Sequence, residues 1–218
     1  MKKISSSIVV LFLLLCTLII SFFIFFNQKE KKGYEVPIID ESGTVTYGSK
    51  NWVMSFKMPI GYEIGRYYES ADSPTSLTLT IFDPKYKFLN DIVMDEKATV
   101  EISLNKAGYG SPIANMISTT PDIYSIVLNP SYDNLTAVMP KYRSQYKPTD
   151  VAGIKMMRGK SEVHMGPLHM VQDQVIGFSG NDWIEIKAEA EQNHYNAIKS
   201  AEEALNEVIS TIVIHPIK

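Results

Sequence analysis

Residues 168–190 read LHMVQDQVIGFSGNDWIEIKAEA, and this stretch decides the fold. Leu168 to Phe178 is rich in strand-forming side chains, and Ser179-Gly180-Asn181-Asp182 supplies a tight turn. From Trp183 to Ala190 the residues alternate: Ile184, Ile186 and Ala188 point one way, Trp183, Glu185, Lys187 and Glu189 the other. A period of two over this length predicts a half-buried strand in an antiparallel meander. Beyond His194 the period changes. Ala197, Ile198, Ala201, Leu205, Val208, Ile209 and Ile212 recur at helical spacing, with Lys199, Glu202, Glu203 and Asn206 between them. They predict an amphipathic helix of four or more turns laid on the sheet, its tail leaving the helical pattern at Ile212 to Ile214 and stopping at Pro216.

Working backwards, Val151 to Met157 and Val163 to Met165 read as one or two further strands of the meander. The N-terminal half adds strands at Thr44 to Tyr47, Trp52 to Met58, Tyr62 to Glu69 and Leu77 to Phe82, joined by short connections. Of these, Leu77, Leu79 and Ile81 alternating with Thr78, Thr80 and Phe82 give the strongest signal. Between Asp95 and Ala107 two patterns compete. Asp95 as a cap and Gly108 as a stop favour a helix, while Val100, Ile102 and Leu104 alternate as a strand would; the helix is the expectation. Ser111-Pro112 starts a second helix. Asp122 to Tyr146, with Pro130 and Pro140, reads as short helical turns in an excursion too long to be structureless, so an element lies within it.

These segments resemble the PsbP-like family. Trp52-Val-Met-Ser-Phe56 leading into Pro59, Gly61 and Tyr62 looks like that family's opening strand. Trp183-Ile-Glu-Ile186 before a helix ending Val208-Ile-Ser-Thr-Ile212 looks like its close, and Gly153-Ile-Lys155 like its internal glycine. The resemblance covers roughly residues 47–216 and implies an α+β fold, an α/β/α sandwich around an antiparallel sheet. It carries no site residue, because the family shares a fold rather than a site.

The chain has a second decisive stretch. Ile4 to Phe26, ISSSIVVLFLLLCTLIISFFIFF, holds 23 residues without a charge, a glycine or a proline. About 20 apolar residues cross a bilayer. Lys2 and Lys3 precede it as a signal-like flank, yet the run exceeds a cleavable signal, and Phe22, Phe23, Phe25 and Phe26 stand where cleavage needs small residues. The expectation is an uncleaved single-pass anchor with the N-terminus inside and the downstream domain outside the cell membrane. A cleaved signal, or a lipoprotein signal at Cys16, is the alternative. Residues 1–32 are thus read as anchor and linker, and 33–218 as one extracytoplasmic domain. Of the 24 acidic and 21 basic residues, one acidic and five basic fall in the first 32, leaving the domain at net charge −7. That balance argues against nucleic acid as a partner and against docking on anionic lipid. The only Cys lies in the apolar run, so the domain has neither a disulfide nor a thiol nucleophile.

Chemistry leaves few marks. The sequence has no GxSxG, SxxK or HExxH motif and no glycine-rich phosphate loop, and it points to no cofactor. Asp72, Ser73 and His164 assemble into a triad only by choice. In VHMGPLHM, a hairpin at Gly166-Pro167 would bring His164 opposite His169, flanked by Met165 and Met170, a donor set suited to a soft ion such as Cu(I). Core-filling methionines are the plainer reading. Tyrosine is the remaining signal: 12 in the chain, with Tyr124, Tyr132, Tyr142 and Tyr146 grouped on the excursion. Exposed there, they would form a surface for a protein, peptide or glycan, since tyrosine presents an apolar ring and a wet hydroxyl. Asn134-Leu135-Thr136 fits a glycosylation acceptor. The reading is a membrane-tethered, non-catalytic binding or structural domain, against an anchored or secreted enzyme, such as a hydrolase, whose site the sequence does not display.

Overall fold

The computed structural model describes residues 36–69, 76–86, 98–106, 126, 131–142, 145–165, 168–192 and 194–216. Their order is β1 (Ile38–Ile39), β2 (Thr44–Gly48), β3 (Trp52–Lys57), β4 (Glu63–Glu69), β5 (Ser76–Phe82), a 3-10 turn (Pro84–Tyr86) and β6 (Ala98–Asn105). Then come α1 (Tyr132–Tyr142), β7 (Lys147–Val151), β8 (Ile154–Met165), β9 (Leu168–Ser179), β10 (Asp182–Glu191), α2 (Tyr195–Thr211) and β11 (Val213–Pro216). The strands form a small sheet ordered β1-β2-β3-β11 and a large one ordered β4-β5-β6-β10-β9-β8-β7. Every pair is antiparallel. With two packed helices, this is an α+β sandwich. The run Ile4–Phe26 and the Ser111-Pro112 helix start lie outside the described residues, among which no helix is long and apolar enough to cross a membrane.

The meander forms as its sequence dictates. Gly180 sits at φ 62, a positive value that suits the two-residue loop joining Ser179 to Asp182, and this fixes the register Trp183↔Phe178, Glu185↔Ile176, Lys187↔Gln174. The face carrying Ile184, Ile186 and Ala188 is buried with Val100, Ile102 and Leu104 of β6 and Leu77, Leu79 and Ile81 of β5. Ala197, Ala201, Ala204, Leu205 and Val208 of α2 close this core together with Val45, Tyr47, Trp52, Met54 and Phe56 of the small sheet. The opposite face of the large sheet buries Met157, Ile176, Phe178 and Trp183 beneath Leu135, Val138 and Met139 of α1 and beside Ile126. Helices thus lie on both faces.

Three expectations are corrected. Within Asp95 to Ala107, residues 98–105 are a strand, central in the large sheet between β5 and β10. The alternation of Val100, Ile102 and Leu104 outweighs a lone cap and stop signal because both faces of this strand are covered. Of the one or two strands read at Val151–Met157 and Val163–Met165, the structure has one from Ile154 to Met165, with a different start. Val151 ends β7, Ala152 and Gly153 turn the chain at φ 54 and 78, and β8 then runs 12 residues without a break. Its polar centre stays in the sheet because Arg158 finds Asp173 at 2.7 and 3.0 Å, and Lys160 meets Glu202 at 2.5 Å. The tail after α2 is also more than a stop: β11 pairs with β3, Val213 opposite Ser55.

The element hidden in the excursion is α1. Ser131 caps it, its Oγ accepting from the Asn134 amide at 3.2 Å and its carbonyl from Leu135 at 3.0 Å. Pro148 is tolerated in β7 because that strand is the edge of its sheet. Two polar pins join the layers. Asp182 accepts from the buried Trp52 indole at 3.0 Å and from Lys106 at 2.9 Å, with Lys106 over the Trp52 ring at 4.9 Å. Ser200 of α2 donates to Asp83 at 2.9 Å and lies 3.1 Å from the Tyr62 hydroxyl, whose pKa burial pushes up to about 12.

Candidate functional site on the second face of the large sheet

The candidate site is the polar part of the face that α1 covers only at one end. Strand alternation and the register place Thr78 and Ser103 in one row with Glu185 and Ile176, and Glu101 with Lys187 and Gln174 in the next. Thr99, Glu189 and Gln172 form a third row. Within the face, side chains bond along a chain. The Tyr146 hydroxyl donates to Gln174 Oε1, and Gln174 Nε2 donates to Glu185 Oε1. Thr78 and Ser103 hydroxyls lie 3.2 Å apart, and Ser103 donates to Glu101 at 3.4 Å. Lys187 Nζ stands 3.3 Å from Glu101 and 3.4 Å from Glu189, which also accepts from Gln172.

Burial gives this network its electrostatics. Glu185 is 7% exposed, and loss of hydration pushes its carboxyl up to about 7 against the pull of Lys187 and the Gln174 amide. Burial works against the Lys187 ammonium too, but Glu189, Glu101 and Glu185 outweigh it and hold the group above its ordinary value. One buried donor stands apart: Trp183 Nε1, in the apolar end against Phe178, has no hydrogen-bond partner among the described residues.

An acid that titrates near neutrality beside an ammonium is a pair that proton-transfer chemistry could use. Here the carboxylates and amides are spent on one another. Ser103 and Thr78 bond to each other and Ser103 also to Glu101, and among the described residues no imidazole joins either. On the other face, a crevice of about 10 Å³ between β9, β10 and α2, lined by Ala188, Ala190, Ile198, Ala201, Asp173 and Glu202, has room for about one water.

The tyrosine group of the excursion is divided. Tyr124 lies outside the described residues. Tyr132 opens α1, half-buried against the second core with Lys155 Nζ 6.0 Å from its ring. Tyr142 ends α1. Tyr146 is not a surface residue: it is 3% exposed, its ring pressed against Gly159, where a Cβ would come within 2.3 Å of the ring. Glycine is needed there for close approach. Asn134 sits within α1 beside the buried Leu135, and Thr136 donates to the Asp133 carbonyl, so the acceptor sequence is helical rather than a loop.

The hairpin register does pair His164 with His169 and Met165 with Leu168. His169 is exposed, whereas Met170, one residue on and therefore on the opposite face, is buried. His169 and Met170 thus do not converge. Asp72 and Ser73 lie outside the described residues. Among the described residues no three His, Cys, Asp or Glu side chains are grouped to hold a metal.

Sequence reading missed the Tyr146–Gln174–Glu185 chain, although its signal was present. Gln172 and Gln174 alternate on one strand, Glu185, Lys187 and Glu189 on the next, and the tight turn sets their register.

No protein-family model matches the chain, and no curated protein does. Among solved structures the chain has a distant, partial resemblance to PsbP-like α+β sandwiches. A crystal structure from Bacteroides thetaiotaomicron is 14% identical at TM-score 0.42, covering 76% of this chain and 45% of that one. This chain therefore spans under half the length of that protein. Cyanobacterial PsbP (CyanoP) from Synechocystis is 10% identical at TM-score 0.38, covering 82% and 95%. LpqN, involved in cell envelope biogenesis of Mycobacterium tuberculosis, is 11% identical at TM-score 0.36, covering 83% and 90%.

Proposed function

We propose that this chain is a membrane-tethered, extracytoplasmic binding or structural domain without catalytic activity. The observation that carries the reading is the uncharged run Ile4 to Phe26 ahead of a net-acidic domain without cysteine. The polar face supports it, because its titratable groups are engaged with one another. In this reading the surface offered to a protein, peptide or glycan includes the exposed part of Tyr132 at the start of α1 and the neighbourhood of Tyr142 at its end. The test is alkaline carbonate washing of membranes that carry the full chain. The chain stays in the pellet, and Leu14→Arg with Leu15→Arg releases it, since each central Arg adds about 3 kcal/mol to insertion. Release of the parent chain, or retention of the double variant, contradicts the tether.

A further inference from the structure

The small sheet has an outer face that the domain's own core leaves uncovered. Val45, Tyr47, Trp52, Met54 and Phe56 point inward. The register sets Ile38, Thr46, Ser55 and Val213 in one row across all four strands on the other face. Ile38 is 67% exposed, Val213 41% and Val36, two residues before Ile38, 61%. Val53 and His215 form the neighbouring pair. These positions hold no Asp, Glu, Lys or Arg. Two charges flank the face: Asp40, two residues past Ile38, accepts from the Ser42 and Thr44 amides at 2.9 Å, and Lys57 at the end of β3 reaches the Ser42 carbonyl at 2.7 Å. A sheet face meant for water ordinarily carries charged side chains. This one offers valine, isoleucine and hydroxyls.

We infer that this face rests on the lipid bilayer, at the depth where carbonyl and headgroup regions meet. The inference rests on the proposed tether. Nine residues lie between Phe26 and Val36, a span of at most about 35 Å when fully extended, so the face beginning at Val36 stays within reach of the membrane. Lys29, Lys31 and Lys32 of the linker are offset by Glu30 and Glu35, and the domain is net −7, so the contact rests on the aliphatic side chains of the face and not on attraction to anionic headgroups. A mixture of small aliphatic and hydroxyl side chains suits an interface rather than a dry core. A second copy fits less well. Four strands about 4.8 Å apart and some three residues of each give roughly 200 Å², against about 800 Å² per partner in a stable dimer.

The test uses the full chain with Cys16→Ser, reconstituted in vesicles of phosphatidylcholine with one fifth phosphatidylglycerol. An environment-sensitive fluorophore is placed at Thr46→Cys or, on exposed α2, at Lys199→Cys. With shallow nitroxide-labelled lipid, position 46 is quenched at least threefold more than position 199, and adding Ile38→Glu and Val213→Glu removes the difference. Equal weak quenching at both positions in a chain that floats with the vesicles overturns the face and leaves the tether standing. Failure to float overturns both. Disulfide formation between two copies of the unlabelled Thr46→Cys chain on mild oxidation, with no quenching in the labelled one, assigns the face to a second chain and also overturns the inference.

Discussion

Glu185 concentrates the physical tension of the domain in one carboxyl. In the unfolded chain it ionises near 4.5, and in the fold near 7. Between those values the native state holds the proton and the unfolded state does not. Stability therefore falls as pH rises through this window, by about 3 kcal/mol in all, and levels off above it. Glu185→Gln keeps the acceptor for Gln174 and removes the ionisation, so urea titrations should show a variant whose stability hardly changes from pH 5 to 7.5. A pH slope equal to that of the parent would refute this assignment. Lys187 adds nothing in that range, because its raised pKa supports the fold up to its unfolded value and fails only above it. At Gly159 the argument is steric. Gly159→Ala drives a methyl into the Tyr146 ring and should lower stability by about 1–3 kcal/mol, with loss of the Tyr146 near-ultraviolet signal. An unchanged midpoint would show that the ring is free to move.

The two helices and the polar pins are where elements depend on one another. Leu205 of α2 is fully buried between the sheets, and Leu205→Ala should cost about 2–5 kcal/mol by chemical denaturation. Asp182→Ala strips the acceptor from the Trp52 indole and the partner from Lys106, at about 1–3 kcal/mol; a loss under about 0.3 kcal/mol would mean the pin is dispensable. Strands and helices with one clear period, such as β3, β5, β10 and α2, could be read directly from side-chain alternation. β6 could not, since a cap and a stop pulled against an alternation that only tertiary burial decides. β11 was equally silent, because four residues have too little period to see and pair only with a strand 158 residues away, Val213 with Ser55. The network on the second face was half legible. Alternation assigned Glu185, Lys187 and Glu189 to one side, but Tyr146 reaches them from a loop whose course no local pattern foretells.

At the scale of the molecule, address and architecture have separate causes. The sandwich follows from two sheets and two helices burying their apolar faces, and it would form wherever the chain was made. In the proposed reading the run Ile4 to Phe26 sets where that domain works, and binding falls to its surfaces. The most direct measurement is protease shaving of intact cells expressing the full chain, followed by mass analysis of what remains in the membrane. The account predicts that residues 36–218 are lost from outside and that a protected fragment begins at the original N-terminus and ends in the linker near Lys32. A domain that survives shaving until the cells are opened, or a mature chain that starts after Phe26, would contradict it.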